Sequence, residues 1–249
     1  MKIFLAGTAS RPYVIKDQID SGYAPFILES FYYENPDVEA MIPKFGDFLL
    51  DSGAFTFMTA KKSVPDWNAY IRKYAEFINR NRIEKFFELD IDAVVGYKTV
   101  LEYRERLESL TGRQCIPVWH QNRGSEAFIE ASQKYPYVAV GGLVSGGKEY
   151  AREFWKYFPW FVKTAHENGA KLHALGFTSI EGIERFHFDS VDSTAWAAGN
   201  RYGFVYRFDG RRIKIKHAPE GKKLKDPKAA ALHNFREWAK YQRYASIHL

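Results

Sequence analysis

Phe186-His187-Phe188-Asp189-Ser190-Val191-Asp192-Ser193-Thr194-Ala195-Trp196 is the stretch on which the fold turns. A short apolar, β-rich run ends in an aspartate, and small hydroxyl residues follow at once. A parallel barrel delivers a carboxylate to its C-terminal mouth in this way, and that is the face on which such enzymes do chemistry. The same grammar recurs. Asp47-Phe48-Leu49-Leu50 runs into Asp51-Ser52-Gly53, and Lys85 to Leu89 runs into Asp90-Ile91-Asp92. Cys115 to Trp119 runs into His120-Gln121, and Tyr137 to Val140 into Gly141-Gly142-Leu143.

Between these runs lie helical patterns. Asp66 and a preceding Ser63 and Pro65 open a helix on which Trp67, Tyr70, Ile71, Tyr74 and Ile78 recur at helical spacing. That stripe reads as core packing. Thr99 to Leu110 is helical and stopped by Gly112; Ser125 to Gln133 is another helix. The segment 148–169 is apolar on one face and is expected to break at Pro159. Lys171 to Leu175 is a strand, Ile180 to Arg185 a short helix, and Lys228 to Tyr244 a closing amphipathic helix. At the other end, Lys2 to Ala6 is a first strand, too short to be a signal peptide. Residues 8–46 read as irregular, with a short helix over Phe26 to Tyr33. Strand–helix alternation of this kind predicts a mostly parallel sheet. No Gly-x-Gly-x-x-Gly follows the first strand, so the main signal of a dinucleotide fold is missing. The expectation is an α/β fold, an irregular (β/α)8 TIM barrel, as one domain over residues 1–249.

Composition narrows the class. The 46% apolar and 17% aromatic content can fill a large core. No apolar run approaches the ~20 residues needed to span a bilayer. Cys115 is the sole cysteine, so no disulfide can form within the chain, which fits a reducing cytoplasm. The net charge of +6 is unevenly placed. Residues 201–228 hold Arg201, Arg207, Arg211, Arg212, Lys214 and Lys216, then Lys222, Lys223, Lys225 and Lys228, against Asp209, Glu220 and Asp226, which is +7. The rest of the chain sums to −1. Phe204 to Lys216 alternates around Asp209-Gly210, predicting a basic β-hairpin insertion near the C-terminus that protrudes. A basic segment beside a near-neutral body suits a polyanion, although a charge run of this kind also reads as plain solvated surface.

Parallel strands bring their C-terminal residues to one face. It would carry Asp51, Ser52, Asp90 and Asp92, with His120, Gln121, Gly142 and Asp192. Gathered carboxylates suit acid–base or nucleophilic work, and also metal binding through oxygen. Each aspartate alone also reads as a helix cap.

These motifs resemble the tRNA-guanine transglycosylases, irregular (β/α)8 barrels that exchange guanine for a 7-deazaguanine. Asp51-Ser52-Gly53-Ala54-Phe55 resembles the family's Asp-Ser-Gly-Gly-Phe, and Val140-Gly141-Gly142-Leu143 its Gly-Gly-Leu loop. Leu89-Asp90-Ile91 resembles the strand end that presents a base-recognising aspartate. Asp192-Ser193-Thr194-Ala195-Trp196, followed by Asn200-Arg201-Tyr202, is similar to the archaeal branch around the nucleophile. The order agrees from about residue 47 to residue 202. The resemblance implies that Asp192 attacks the sugar C1′ and that Asp51 is the general acid and base. It implies that Asp90 bonds the purine edge and that the Gly141-Gly142-Leu143 backbone receives the base carbonyl. His120 stands where the family usually has Gln, and Leu175 and Phe177 would line the base pocket.

The family's zinc site needs three cysteines and a histidine near the C-terminus, so with one cysteine that site cannot exist here. The chain is also much shorter than the tRNA enzymes. Both departures point to the short relatives of phage and bacterial genomes that insert deazaguanines into DNA. The expected partners are therefore DNA, with tRNA as the alternative, and a 7-deazaguanine base such as preQ0 or preQ1. No metal or redox cofactor is expected, no membrane is involved, and the compartment is the cytoplasm, the host's if the chain is phage-encoded. Two readings compete: a metal-assisted hydrolase with Asp51, Asp90, Asp92 and His120 as ligands, and a non-catalytic nucleic-acid-binding module.

Overall fold

Seven strands form one sheet: β1 (Lys2–Ala6), β2 (Phe26–Ser30), β3 (Asp47–Asp51), β4 (Val118–Trp119), β5 (Tyr137–Val140), β6 (Lys171–Ala174) and β7 (Ser190–Ser193). Their order is β3-β2-β1-β7-β6-β5-β4 and every pair is parallel. The computed structural model describes residues 1–53, 56–57, 66–142, 152–177, 179–217 and 226–249. The side chains of Asn200 and Arg201 are outside that description, as are Ala54, Phe55, Ser63 and Pro65.

The sheet curls. Leu50 N donates to Lys85 O and Phe87 N to Leu50 O, while Ile116 N donates to Phe86 O and Glu88 N to Ile116 O. Residues 85–88 thus bond both to β3, at one edge, and to the approach to β4, at the other. The strands carry apolar side chains on both sides, as burial on two faces requires. Phe4, Leu28, Leu49, Phe87 and Val118 fill the inside of the curl, while Ile3, Leu5, Ile27, Val138 and Leu172 pack outward.

Helices cover the outside: α1 (Pro12–Asp20), α2 (Trp67–Arg80), α3 (Tyr97–Thr111), α4 (Gly124–Lys134), α5 (Phe158–Glu167), α6 (Ile180–Phe186) and α7 (Pro227–His248). Their ends follow local chemistry. Asp66 caps α2 by accepting from Asn68 N and Ala69 N, and Asp226 caps α7 in the same way. Gly112 ends α3 in the left-handed region at φ 66°. The segment divides where Pro159 was expected to break it: residues 152–154 are helical, Trp155–Tyr157 is a 3-10 turn, and Pro159 sits in the first turn of α5, where its missing N–H costs nothing.

Three expectations are corrected. Phe26 to Tyr33 is not a helix: β2 occupies Phe26–Ser30, and only a 3-10 turn, Phe31–Tyr33, follows. Pairing on both sides, with β1 and β3, outweighs the weak local preference. Residues 8–46 are not irregular, since they hold α1 and β2. Nor does a strand run from Phe186: that residue ends α6, His187 turns at φ 54°, and β7 begins at Ser190. Asp192 therefore lies within its strand, opposite Phe4.

β8 (Phe204–Phe208) and β9 (Ile213–His217) form a separate antiparallel ribbon. It does not simply protrude. Tyr206, Phe208 and Ile213 pack inward, while Ile215 is exposed, and Tyr206 N and Phe208 N donate to Asn234 Oδ1 and Glu237 Oε2 of α7. Among the described residues no helix is long and apolar enough to cross a membrane.

Candidate functional site

The strand ends open into one cavity of about 780 Å³. Its wall includes Asp51, Asp90, Asp92 and His120, together with Gly141, Gly142, Leu175 and Asp192. Carboxylates that are far apart in the chain thus meet in one hollow, as parallel topology demands.

Asp51 ends β3. Its Oδ2 accepts from Gly53 N at 2.9 Å. Gly53 has φ +79°, and a Cβ there would lie 2.5 Å from Tyr32 Cβ, so the turn requires glycine. Burial, then the charge of Asp90 and more weakly that of Asp192, push the Asp51 carboxyl up to about 7. Ser52 is fully buried behind it and is not part of the cavity wall; its carbonyl accepts from Tyr70 Oη at 2.6 Å.

Asp90 Oδ2 lies 3.1 Å from His120 Nε2. The His120 ring lies on the Gly-Gly pair: a Cβ on Gly141 would sit 2.8 Å from its Cε1, and one on Gly142 3.2 Å from its Nδ1. The two glycines are what allow the imidazole to reach Asp90. Gln121 is exposed and does not line the cavity; its neighbour Asn122 does.

Asp92 lines the cavity with both oxygens engaged, Oδ1 by Arg123 Nη2 at 2.7 Å and Oδ2 by Asn122 Nδ2 at 2.6 Å. Burial would raise its pKa, but the hydrogen bond and charge of Arg123 outweigh that and hold it below its ordinary range. Arg123 also binds Glu88, which in turn binds Arg104. Asp92 is thus the end of a buried ion-pair network that braces the wall. It still faces the cavity, with its charge already met by Arg123.

Asp192 Oδ1 accepts from Gly176 N at 2.6 Å and lies 3.3 Å from His173 Nε2. Leu175 lies beside it in the wall. Phe177 does not: it packs on Phe158 at 5.4 Å and Phe188 at 5.5 Å, at 5% exposure. Two residues past Leu175 the chain has turned outward under α6, where Gly182 leaves room for the ring.

Two residues of the site escape a reading of the sequence. Glu29 of β2 lines the cavity, and its Oε1 accepts from Thr8 N at 2.8 Å and from Thr8 Oγ1. Burial pushes it up to about 7. Its signal, an acid near a strand end, is hidden because Phe26–Ser30 reads locally as helix. His173 is the other, an inward position on an alternating strand, fully buried behind Asp192.

The basic segment divides. Leu143, Lys222 and Lys223 lie outside the described residues, as does the side chain of Arg201. Arg207, Lys214 and Lys216 share the outer face of the ribbon, since Arg207 pairs with Lys214 and Val205 with Lys216. Arg211 and Arg212 are at its tip. Arg212 binds Glu184 near the end of α6 at 3.1 Å, and Phe208 packs on Tyr241 and Tyr244. That end of α7 touches strand starts, with Gln242 donating to Ile3 O and Phe26 O. The tip is therefore on the face opposite the cavity, while the Lys216 end points the other way along α7, toward Asn234.

Among the described residues no group of three or more His, Cys, Asp or Glu side chains is placed to hold a metal ion. What the cavity offers is Asp192, bonded by Gly176 N and lying against His173, together with Asp51, whose carboxyl is pushed up to about 7. No family model matches the chain, and no curated protein does. Among solved structures, one titled "Native KDPGal structure" aligns over 98% of this chain and 94% of that chain at 10% identity, with a TM-score of 0.47. A likeness that loose says nothing about this chain's chemistry.

Proposed function

We propose that this chain is a nucleic-acid guanine transglycosylase that exchanges guanine for a 7-deazaguanine, in DNA by preference, through a covalent aspartyl-glycosyl intermediate. With it goes the finer architectural reading, in which residues 85–88 act as an eighth stave and the curled sheet is an irregular (β/α)8 barrel. The observation that carries the proposal is that Asp51 and Asp192 line one cavity in different surroundings. Asp51 is pushed up to about 7 by burial, by the charge of Asp90 and in smaller part by that of Asp192. Asp192 instead accepts from Gly176 N and faces His173. Two carboxyls set in contrasting environments are the mark of an acid and its nucleophilic partner.

The steps follow from that division. The target nucleotide leaves its stack, at a cost of a few kcal/mol. A free oxygen of Asp192 attacks C1′ as the bond to guanine N9 breaks, and Asp51 delivers its proton to the departing base. An ester now joins Asp192 to the sugar, and Asp51 is ionised. A 7-deazaguanine enters, Asp51 takes its N9 proton, and N9 attacks C1′, releasing Asp192. Asp90, steadied by His120, faces the same hollow and suits the donor edge of a guanine. The hydrolase reading is less well supported, since its ligand Asp92 is already neutralised by Arg123.

The test is incubation with labelled guanine and either duplex DNA or tRNA, with the covalent adduct trapped by denaturation. Label should enter DNA, and Asp192→Ala should abolish the adduct. An adduct that survives Asp192→Ala refutes the assignment, and label entering tRNA alone moves the polymer.

A further inference from the structure

A polar seam runs through the otherwise apolar inside of the sheet. His173 and Ser190 are paired across β6 and β7 and are buried at 0% and 1% exposure. The His173 ring sits 6.2 Å from the ring of Phe4, 5.3 Å from Phe87 and 6.4 Å from Tyr137, so aromatic neighbours fix its plane. Its Nδ1 lies 2.5 Å from Ser190 Oγ and its Nε2 3.3 Å from Asp192 Oδ1. Ser190 Oγ is bonded in turn to the Tyr137 hydroxyl. Burial pushes the Tyr137 phenol well above its ordinary range, so it keeps its proton.

The direction of these bonds follows from counting donors and acceptors. Among the described residues the Tyr137 hydroxyl bonds to Ser190 alone, so its proton goes there. Ser190 is left with its own proton, which it gives to His173 Nδ1. His173 then carries its proton on Nε2 and donates to Asp192 Oδ1. Gly176 N donates to the same oxygen. Both bonds thus fall on one oxygen of the carboxylate.

We propose that His173, oriented by Ser190 and Tyr137, is a positioning residue that with Gly176 N ties down Oδ1 of Asp192 and leaves Oδ2 as the atom that attacks the sugar. This rests on Asp192 being the nucleophile. A carboxylate free to rotate would exchange its two oxygens and present neither in line with C1′, and misplacement of a reacting group by about 1 Å can cost on the order of 100-fold in rate.

Two measurements test it. The first is independent of activity: nitrogen NMR of the ¹⁵N-histidine-labelled protein. His173 should show a protonated Nε2 and a bare, hydrogen-bonded Nδ1, and Ser190→Ala should shift the Nδ1 resonance. A proton on Nδ1 in the wild type overturns the proposal. The second is single-turnover adduct formation. His173→Leu should slow it about 100-fold with base affinity unchanged, and His173→Gln, whose amide can still donate, should recover part of the loss. Native rates in a folded His173→Leu, or a Gln variant no better than Leu, overturn it. If these variants do not fold, the tautomer decides. If the wild type itself forms no adduct, the transglycosylase reading has failed, and the NMR result still judges the seam.

Discussion

Asp51 is the residue at which structure and chemistry meet most directly. With its carboxyl pushed up to about 7, a large share of it stays protonated near neutral pH and can surrender that proton to a leaving base. Adduct formation should therefore fall as pH rises above about 7. Asp51→Asn should lose roughly 10²–10⁴ in rate along with that limb of the pH profile, measured by single turnover. A profile unchanged in Asp51→Asn would remove Asp51 from the acid role. The same shift bears on stability. The ordinary Asp value is 3.8, so between about 4 and 7 the folded state holds a proton that the unfolded chain has lost. The stability this proton confers is full below the unfolded value and is lost as pH rises through about 7. Glu29, raised from 4.5 to about 7, adds to the same trend. Melting temperature should thus be higher at about pH 5 than at about pH 8, and Asp51→Asn should flatten the slope and stabilise the protein at the higher pH. The place of Asp51 and Asp192 at the site was legible in the sequence because each closes or sits within a β-rich run beside small residues. The raised pKa of Asp51 was not, because it depends on burial and on charges brought in from other strands.

Among the elements, the wall formed by residues 85–92 and the turn after β4 is held by an ion-pair network with almost no access to water. Glu88 is fully buried and binds Arg104 Nε and Arg123 Nη1, each at 2.6 Å, while Val118 N adds a third donor at 2.8 Å. Removing one partner of such a network leaves buried charge uncompensated. Glu88→Ala should cost about 3–5 kcal/mol in urea unfolding, with loss of the Asp92 edge of the cavity. A cost below about 1 kcal/mol would show that the two arginines escape to solvent, where ion pairs are worth that little. α2, α3 and α7 were readable from local signals: apolar spacing and the Asp66 start for α2, the Gly112 stop for α3, and amphipathic patterning for α7, whose cap at Asp226 the structure added. β2 was not: Phe26-Ile27-Leu28-Glu29-Ser30 is too short for periodicity to tell strand from helix, and its register is set by β1 and β3.

At the scale of the molecule, the basic ribbon is oriented by its packing against α7. Its tip, with Arg211 and Arg212, faces away from the cavity, and its other end, with Lys216, points the opposite way. If DNA is bound over the cavity, Arg207→Ala with Lys216→Ala should lower the salt slope of binding by about 1 for every phosphate left without its cation. Arg211→Ala with Arg212→Ala should leave that slope unchanged. The reverse outcome, measured by titration at several salt concentrations, would place the polymer on the far face. The sequence by itself determined the alternation of strand and helix and the set of acids, glycines and histidine that strand ends present. Those are properties of short windows, and parallel connection carries every strand end to one face. Only the tertiary structure decided the surroundings of each group there. It set Arg123 against Asp92, turned Phe177 into the core, added Glu29 and His173 to the site, and raised Asp51 toward neutrality. Each of these depends on distance, desolvation and charge between residues that the chain order keeps far apart.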